Sequence, residues 1–83
     1  MANKYVAAVD LGAESGRVIC AAFDGQRLFL HDEYAFPNIP VQVHDTLYWD
    51  ALRLWHEIQA GIEKFAPCAS SIGIDTWGVD FAL

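Results

Sequence analysis

The sequence predicts an α/β fold built around a mixed sheet, with its elements in the order strand, strand, strand, helix, strand. Three observations carry this prediction. Short apolar runs in the first part of the chain are separated by glycine-containing turns, as in strands joined by tight connections. Asp24-Gly25 is a strong hairpin signal between two of these runs. After Asp50 the apolar residues change to helical spacing, and another apolar run follows the helix.

The first three strands are predicted at residues 5–9, 17–23 and 28–36. The first two are mostly apolar, which is typical of strands that are buried on both faces. The third alternates apolar and polar positions and is therefore expected at an edge of the sheet. Because a hairpin joins the second strand to the third while a helix precedes the fourth, we expect both antiparallel and parallel pairs.

Residues 37–47 contain two prolines and are predicted to form an irregular connection. The helix that follows begins at Asp50, whose carboxylate can accept hydrogen bonds from the free backbone N–H groups of the first turn. Polar residues, Glu57 among them, are expected mainly on its solvent side. Its apolar face is formed by Ala51, Leu54, Trp55, Ile58, Ile62 and Phe65.

Pro67 is expected to end this helix, since proline cannot continue the helical hydrogen bonding. A fourth strand is predicted at residues 71–75, and a fifth apolar segment spans residues 79–83.

Composition narrows the classes of function. The chain has 83 residues, a net charge of −6 and five Lys and Arg, so a basic surface for nucleic acid is not expected. No apolar run reaches the ~20 residues of a membrane span, and a cytoplasmic location is expected. Cys20 and Cys68 lack metal or redox spacing and are predicted to be free thiols. The chain is 54% hydrophobic, a surplus that predicts an exposed apolar face and self-association.

The segment from Asp10 to Arg17 is the most informative. Its glycines let consecutive backbone N–H groups converge on phosphate oxygens, Ser15 adds a hydroxyl, and Arg17 can add a forked, charge-assisted contact. Asp10 beside such a loop suits a magnesium ion. The alternative is an ordinary hairpin turn in which Asp10 and Arg17 form a surface ion pair.

A second group of candidate residues follows the fourth strand. Asp75, Trp77 and Asp80 surround Gly78, and ligands of open sheets lie beyond the carboxyl ends of parallel strands. Carboxylates suit polyhydroxylated ligands because each can accept several hydroxyl donors. A structural turn, with Asp75 as a cap and Trp77 in the core, is the alternative.

Residues 9–17 resemble the first phosphate motif of the FGGY carbohydrate kinases, which belong to the actin-like ATPase superfamily. Residues 71–81, and Trp49-Asp50 before the helix, resemble the branch of that family that acts on L-rhamnulose. The resemblance spans nearly the whole chain. It implies the N-terminal part of an actin-like ATPase (ribonuclease H-like) domain, with residues 1–83 forming an incomplete first domain.

The resemblance also implies roles for individual residues. ATP and Mg²⁺ are the expected cofactors, a small sugar is the expected substrate, and Asp10 would help to position the metal. Gly78 would touch the sugar, beside Asp75, Trp77 and Asp80. The phosphates of ATP would be lined by Ala13, Glu14, Ser15, Gly16 and Arg17. Many family members have threonine where this chain has Ala13, so one hydroxyl contact to phosphate is missing.

No catalytic residue is expected within the 83 residues, because the base of this family is an Asp beyond residue 83 and the adenine pocket lies in a second domain. The chain alone is therefore expected to be inactive. The alternatives are a non-catalytic phosphate- or nucleotide-binding fragment, a self-associating structural piece, or an FGGY kinase for another ketose or polyol.

Overall fold

The computed structural model describes residues 4–76. Trp77, Gly78, Asp80 and the predicted fifth segment lie outside these residues. The elements follow in the order β1 (Lys4–Leu11), β2 (Ser15–Phe23), β3 (Leu28–Pro37), β4 (Val41–Val43), β5 (Thr46–Tyr48), α1 (Ala51–Phe65) and β6 (Ala69–Thr76).

Within residues 4–76, the main sheet has four strands in the order β3-β2-β1-β6. The β1–β2 and β2–β3 pairs are antiparallel, whereas β6 lies parallel to β1. The prediction of a mixed sheet is therefore confirmed, as is the position of β3 at an edge. The parallel pair arises because the chain passes through α1 before it returns to the sheet.

The turn between β2 and β3 is organised by Asp24. Its Oδ1 accepts hydrogen bonds from the backbone N–H groups of Gln26, at 2.9 Å, and Arg27, at 2.8 Å. The hydrogen bonds from Arg27 and Gln26 stabilise the carboxylate and lower the pKa of Asp24. Gly25 has a φ of 103°, a conformation that favours glycine. The hairpin predicted from Asp24-Gly25 is confirmed.

The connection between β3 and α1 is more regular than predicted. Residues 41–48 form a two-stranded antiparallel hairpin of β4 and β5, with His44 at a φ of 56° in its turn. The prediction of an irregular connection was wrong for this part. Val41, Val43, Thr46 and Tyr48 have side chains that favour strands, and Pro40 precedes β4 without interrupting a ladder hydrogen bond.

The N-terminus of α1 is capped as predicted. Asp50 is the N-cap residue, and its Oδ1 accepts a hydrogen bond of 3.1 Å from the backbone N–H of Arg53. At the other end, the N–H of Ala66 bonds to the carbonyl of Ile62 at 2.7 Å, and Pro67 follows. The helix therefore ends where a proline prevents its continuation.

Replacing Asp50 with alanine removes the acceptor of this cap. We expect Asp50→Ala to lower the free energy of unfolding by about 1 kcal/mol, the usual effect of losing an N-cap side chain. Chemical denaturation measures the difference. Asp50→Asn is the matched control, because asparagine retains an oxygen acceptor and should leave stability nearly unchanged. Equal losses in the two variants would contradict the capping role.

The buried face of α1 agrees with the prediction at most of its apolar positions. Ile58 and Phe65 are buried, and Leu54 and Ile62 pack against the core. Ala51 and Trp55, in contrast, are exposed, so their assignment to the buried face was wrong. Compared with the predicted orientation, the helix is turned about its axis so that a polar residue, Glu57, also faces the sheet.

Glu57 was expected on the solvent side but is buried, and both of its oxygens have partners. Its Oε2 accepts a hydrogen bond of 3.1 Å from the hydroxyl of Tyr34 on β3. Its Oε1 lies 3.3 Å from the guanidinium of Arg53, one turn earlier. A buried carboxylate is tolerated when it is paired and hydrogen-bonded in this way. Desolvation and the bond to Glu57 raise the pKa of Tyr34.

The core lies between α1 and one face of the sheet. Buried and exposed residues alternate along β2, as they do when a layer covers only one side of a strand. Leu28 and Leu30 of β3 remain about two-thirds exposed. The core cluster consists of Ala7, Val9, Val18, Cys20, Phe36, Ile58 and Phe65.

Both cysteines are free, as predicted, with Cys20 buried and Cys68 exposed. Burial is the main cause that raises the pKa of Cys20, and the neighbouring Cys68 adds to it. Within residues 4–76, no helix is long and apolar enough to cross a bilayer.

Candidate nucleotide-phosphate site

The loop between β1 and β2 is a short, closed turn. Leu11 and Gly16 are partners at the end of the ladder, and residues 12–14 make the connection. The N–H of Gly12 donates a hydrogen bond of 2.8 Å to the carbonyl of Ser15. This bond fixes the ends of the turn, so that the residues between them form a defined loop beside the end of β1.

A residue that the sequence analysis missed holds this loop from the side. Asn38 is buried, and its Nδ2 donates a hydrogen bond of 2.7 Å to the carbonyl of Gly12. Its backbone N–H donates a second bond of 3.0 Å to the carbonyl of Glu14. The predicted β2–β3 hairpin indicated only that the residue after Pro37 lies near the loop, because a register shift between Cys20 and Ala21 changes which residues are paired.

The backbone N–H groups of Ala13 and Glu14 remain available to a ligand. Within residues 4–76, neither of them donates a hydrogen bond, although the carbonyls of Gly12, Glu14 and Ser15 all accept one. A turn in which most carbonyls are hydrogen-bonded and two successive N–H groups have no acceptor is suited to bind an anion. Glu14 and Ser15 are exposed, so the loop is accessible from solvent.

Gly16 is needed because of an aromatic ring packed against it. A Cβ atom at this position would lie 2.5 Å from Cε2 and 2.6 Å from Cζ of Phe36, which is itself buried. Leu11 closes the other side, with its Cδ2 at 3.1 Å. The first residues of β2 are therefore tied to the core as well as to the loop.

Arg17 lies between two carboxylates on the sheet. Its Nε is 3.5 Å from Oδ2 of Asp10, its ladder partner on β1, and its Nη1 is 3.7 Å from Oε2 of Glu33 on β3. The Arg17 side chain is half exposed. The surface ion pair considered from the sequence is thus present. Such exposed pairs contribute only about 0–1 kcal/mol, so a phosphate can compete for this guanidinium.

Asp75 lies next to Asp10. The two residues are register partners on the parallel strands β1 and β6, and Thr76 is paired with Leu11 one position further on. Asp10 and Asp75 therefore both lie at the carboxyl ends of parallel strands, side by side. Asp75 is exposed, and its predicted neighbours Trp77, Gly78 and Asp80 lie outside the described residues.

Asp10 and Asp75, at the carboxyl ends of β1 and β6, are suited to bind a magnesium ion whose other ligands come mainly from a nucleotide. Mg²⁺ is usually bound by one or two carboxylates together with substrate phosphates and water. Asp10, with Asp75 beside it, supplies that number of carboxylates next to the loop. In residues 4–76, no group of three or more His, Cys, Asp or Glu could hold a metal by itself.

Comparison with known proteins shows that the chain is similar to rhamnulokinases. The chain is 46% identical over 79 residues to the rhamnulokinase of Bacteroides thetaiotaomicron, an alignment that covers 92% of this chain and 16% of that protein. It is 41% identical over 88 residues to the rhamnulokinase of Klebsiella pneumoniae strain 342, covering 100% of this chain and 18% of the relative. The rhamnulokinase of Oceanobacillus iheyensis is 40% identical, with 92% and 17% covered. No family model matches the chain.

The chain is therefore similar in sequence to sugar kinases, and the first hairpin of its mixed sheet has a solvent-accessible loop that is suited to bind phosphate. The chain is similar to the N-terminal part of the rhamnulokinases, in agreement with the resemblance of its motifs to the FGGY carbohydrate kinases. It spans less than one fifth of the length of the three relatives described above.

Proposed function

We propose that the protein is an ATP-dependent sugar kinase that transfers the γ-phosphoryl group of ATP to the 1-hydroxyl of L-rhamnulose, in rhamnose catabolism. The observation that carries the proposal is the β1–β2 loop. The carbonyls of Gly12, Glu14 and Ser15 are hydrogen-bonded, the N–H groups of Ala13 and Glu14 have no acceptor among residues 4–76, and Asp10 stands beside the loop. The names of its relatives support the sugar substrate. A cytoplasmic location is part of the same proposal.

On the nucleotide side, the loop would bind the β- and γ-phosphates. The N–H groups of Ala13 and Glu14 and the hydroxyl of Ser15 would donate to phosphate oxygens, and Gly16 allows the close packing behind them. Arg17 would turn from its carboxylate partners to the phosphate. Asp10 would hold Mg²⁺, which neutralises the charge that develops on the phosphates during transfer. Without the threonine of many relatives, Ala13 would bind through its backbone alone.

On the sugar side, Asp75 stands at the end of β6, from which the chain continues to Trp77, Gly78 and Asp80. These four residues would contact the hydroxyl groups and the ring of the sugar. Phosphoryl transfer also needs a base to orient and deprotonate the attacking hydroxyl. We assign that base and the adenine pocket to parts of the protein beyond residue 83, so residues 1–83 would form part of its first domain and would be inactive alone.

Activity of the full-length protein tests the proposal. We expect phosphate transfer from ATP to L-rhamnulose in the presence of Mg²⁺, with a higher kcat/KM than for other ketoses or polyols. Preference for another ketose would support the proposed kinase activity but would contradict L-rhamnulose as the substrate. ATP binding without transfer to any sugar would instead favour a non-catalytic nucleotide-binding protein.

Arg17→Ala tests the phosphate contact itself. We expect the KM for ATP to rise about tenfold, because a charge-assisted hydrogen bond is worth about 1.5–3 kcal/mol and part of that is offset by losing the pairs with Asp10 and Glu33. Steady-state kinetics at saturating sugar measure the change. Arg27→Ala is the matched control, since Arg27 is exposed in the β2–β3 turn and far along β2 from the loop. Equal KM values for the two variants would contradict the assignment.

A further inference from the structure

We propose that Asn38 is a positioning residue for nucleotide binding, which sets the direction of the N–H groups of Ala13 and Ser15 in the β1–β2 loop without touching the nucleotide. The inference rests on the proposed kinase function. It starts from two hydrogen bonds that come from one residue. The side-chain Nδ2 of Asn38 bonds to the carbonyl of Gly12 at 2.7 Å, and its backbone N–H bonds to the carbonyl of Glu14 at 3.0 Å.

Each of these bonds fixes one peptide plane. A trans peptide directs its C=O and its N–H to opposite sides, and the described chain contains no cis peptide bond. With the carbonyl of Gly12 held on the side of Asn38, the N–H of Ala13 is directed to the other side. In the same way, the bond to the carbonyl of Glu14 directs the N–H of Ser15 away from Asn38.

Asn38 is itself firmly placed. It is 6% exposed, and it follows directly on β3, whose last residues Phe36 and Pro37 pair with Gly16 and Ser15. The packing of Phe36 against Gly16 fixes this strand end relative to the loop. A buried side-chain amide in a fixed position can hold neighbouring peptides in one orientation. Because it is already ordered, it loses little conformational freedom when the ligand binds.

Without the amide of Asn38, the peptide between Gly12 and Ala13 can rotate. The carbonyl of Gly12 would then point toward the phosphate in place of the N–H of Ala13. Carbonyl oxygen repels phosphate oxygen because both carry negative charge. The cost falls on ATP binding rather than on sugar binding. We therefore expect Asn38→Ala to raise the KM for ATP about tenfold, equivalent to the 1.4 kcal/mol of one net hydrogen bond, while the KM for the sugar changes less than about twofold.

The matched control is Tyr34→Phe. Tyr34 also lies on β3 and also makes one partly buried side-chain hydrogen bond, to Glu57, but that bond holds α1 and not the loop. In the full-length protein, thermal unfolding and both KM values are measured for the wild type and the two variants. We expect both variants to lose stability, and only Asn38→Ala to lose affinity for ATP.

If the two variants lose stability and neither changes the KM for ATP, Asn38 is only structural and the inference is overturned. Asn38→Asp is the second variant, in case Asn38→Ala does not fold. Its carboxylate has the same shape but cannot donate to the carbonyl of Gly12, so ATP binding as tight as in the wild type would also overturn the inference. Absence of ATP binding in the wild type would be a failure of the proposed kinase function instead.

Discussion

Phe36→Ala is expected to lower the free energy of unfolding by about 3–5 kcal/mol, the usual cost of removing a buried phenylalanine ring. Phe36 is 4% exposed, and its ring lies against Gly16 and 6.1 Å from the ring of Tyr34. Because Gly16 has no side chain, nothing on β2 can fill the cavity that would remain. Natural domains are stable by only about 5–15 kcal/mol, so this loss approaches global unfolding.

Urea denaturation of Phe36→Ala measures the effect, and Phe29→Ala is its control. Phe29 lies on the same strand but is 48% exposed, so its truncation should cost about 1 kcal/mol or less. Similar losses in the two variants would show that Phe36 does not pack as described. Where Phe36→Ala remains folded, we also expect weaker ATP binding, since the strand end that carries Asn38 would be displaced.

Gly61→Ala is expected to lower the free energy of unfolding by about 2 kcal/mol. At this position α1 lies directly over β2, and an added Cβ would overlap Cγ2 and Cβ of Val18, which is fully buried and cannot move aside. Overpacking of a core costs typically about 1–3 kcal/mol, while alanine gains about 0.8–1.0 kcal/mol over glycine in a helix. We expect the overpacking cost at Gly61 to be about 3 kcal/mol, at the upper end of its range, because the overlap involves a fixed, branched side chain. The gain in helix propensity reduces the net loss to about 2 kcal/mol.

Gly73→Ala is the matched control for this variant. A Cβ at Gly73 would meet no atom within 4 Å, so the substitution should be neutral or slightly stabilising. Thermal unfolding of the two variants compares a glycine that the packing requires with one that it does not. If Gly61→Ala were as stable as the wild type, the close approach of α1 to β2 would be wrong.

Most of the fold could be predicted because local signals agreed with the tertiary structure. Asp24-Gly25 marked a hairpin, Asp50 marked a helix N-terminus, and Pro67 marked its end. The prediction failed where the determining contact is tertiary. The strands of the β4–β5 hairpin have only three residues each and follow two prolines, so their alternation was too short to recognise in the sequence. Glu57 is buried because a hydroxyl from β3 reaches it, and nothing in helical periodicity reports that partner.

In the candidate site too, local sequence signals were predicted and tertiary contacts were missed. The composition of the Asp10–Arg17 segment indicated a phosphate loop, and the predicted mixed sheet agrees with the parallel β1–β6 pair that places Asp75 beside Asp10. The bracing of the loop by Asn38 was missed, because Asn38 is 26 residues from Gly12 and the contact depends on the register of the β2–β3 pair. A single asparagine after a strand gives no sign of which backbone groups it will meet.

Binding of ATP phosphates by the β1–β2 loop is tested most directly by amide NMR of the selectively labelled full-length protein, titrated with ATP and Mg²⁺. AMP is the matched ligand, because it carries adenine and ribose but no β- or γ-phosphate. We predict that the amide signals of Ala13 and Glu14 shift with ATP and stay nearly unchanged with AMP. If ATP binds, as measured by calorimetry, while both signals stay unchanged at saturation, the phosphates bind elsewhere and the loop is only a structural hairpin.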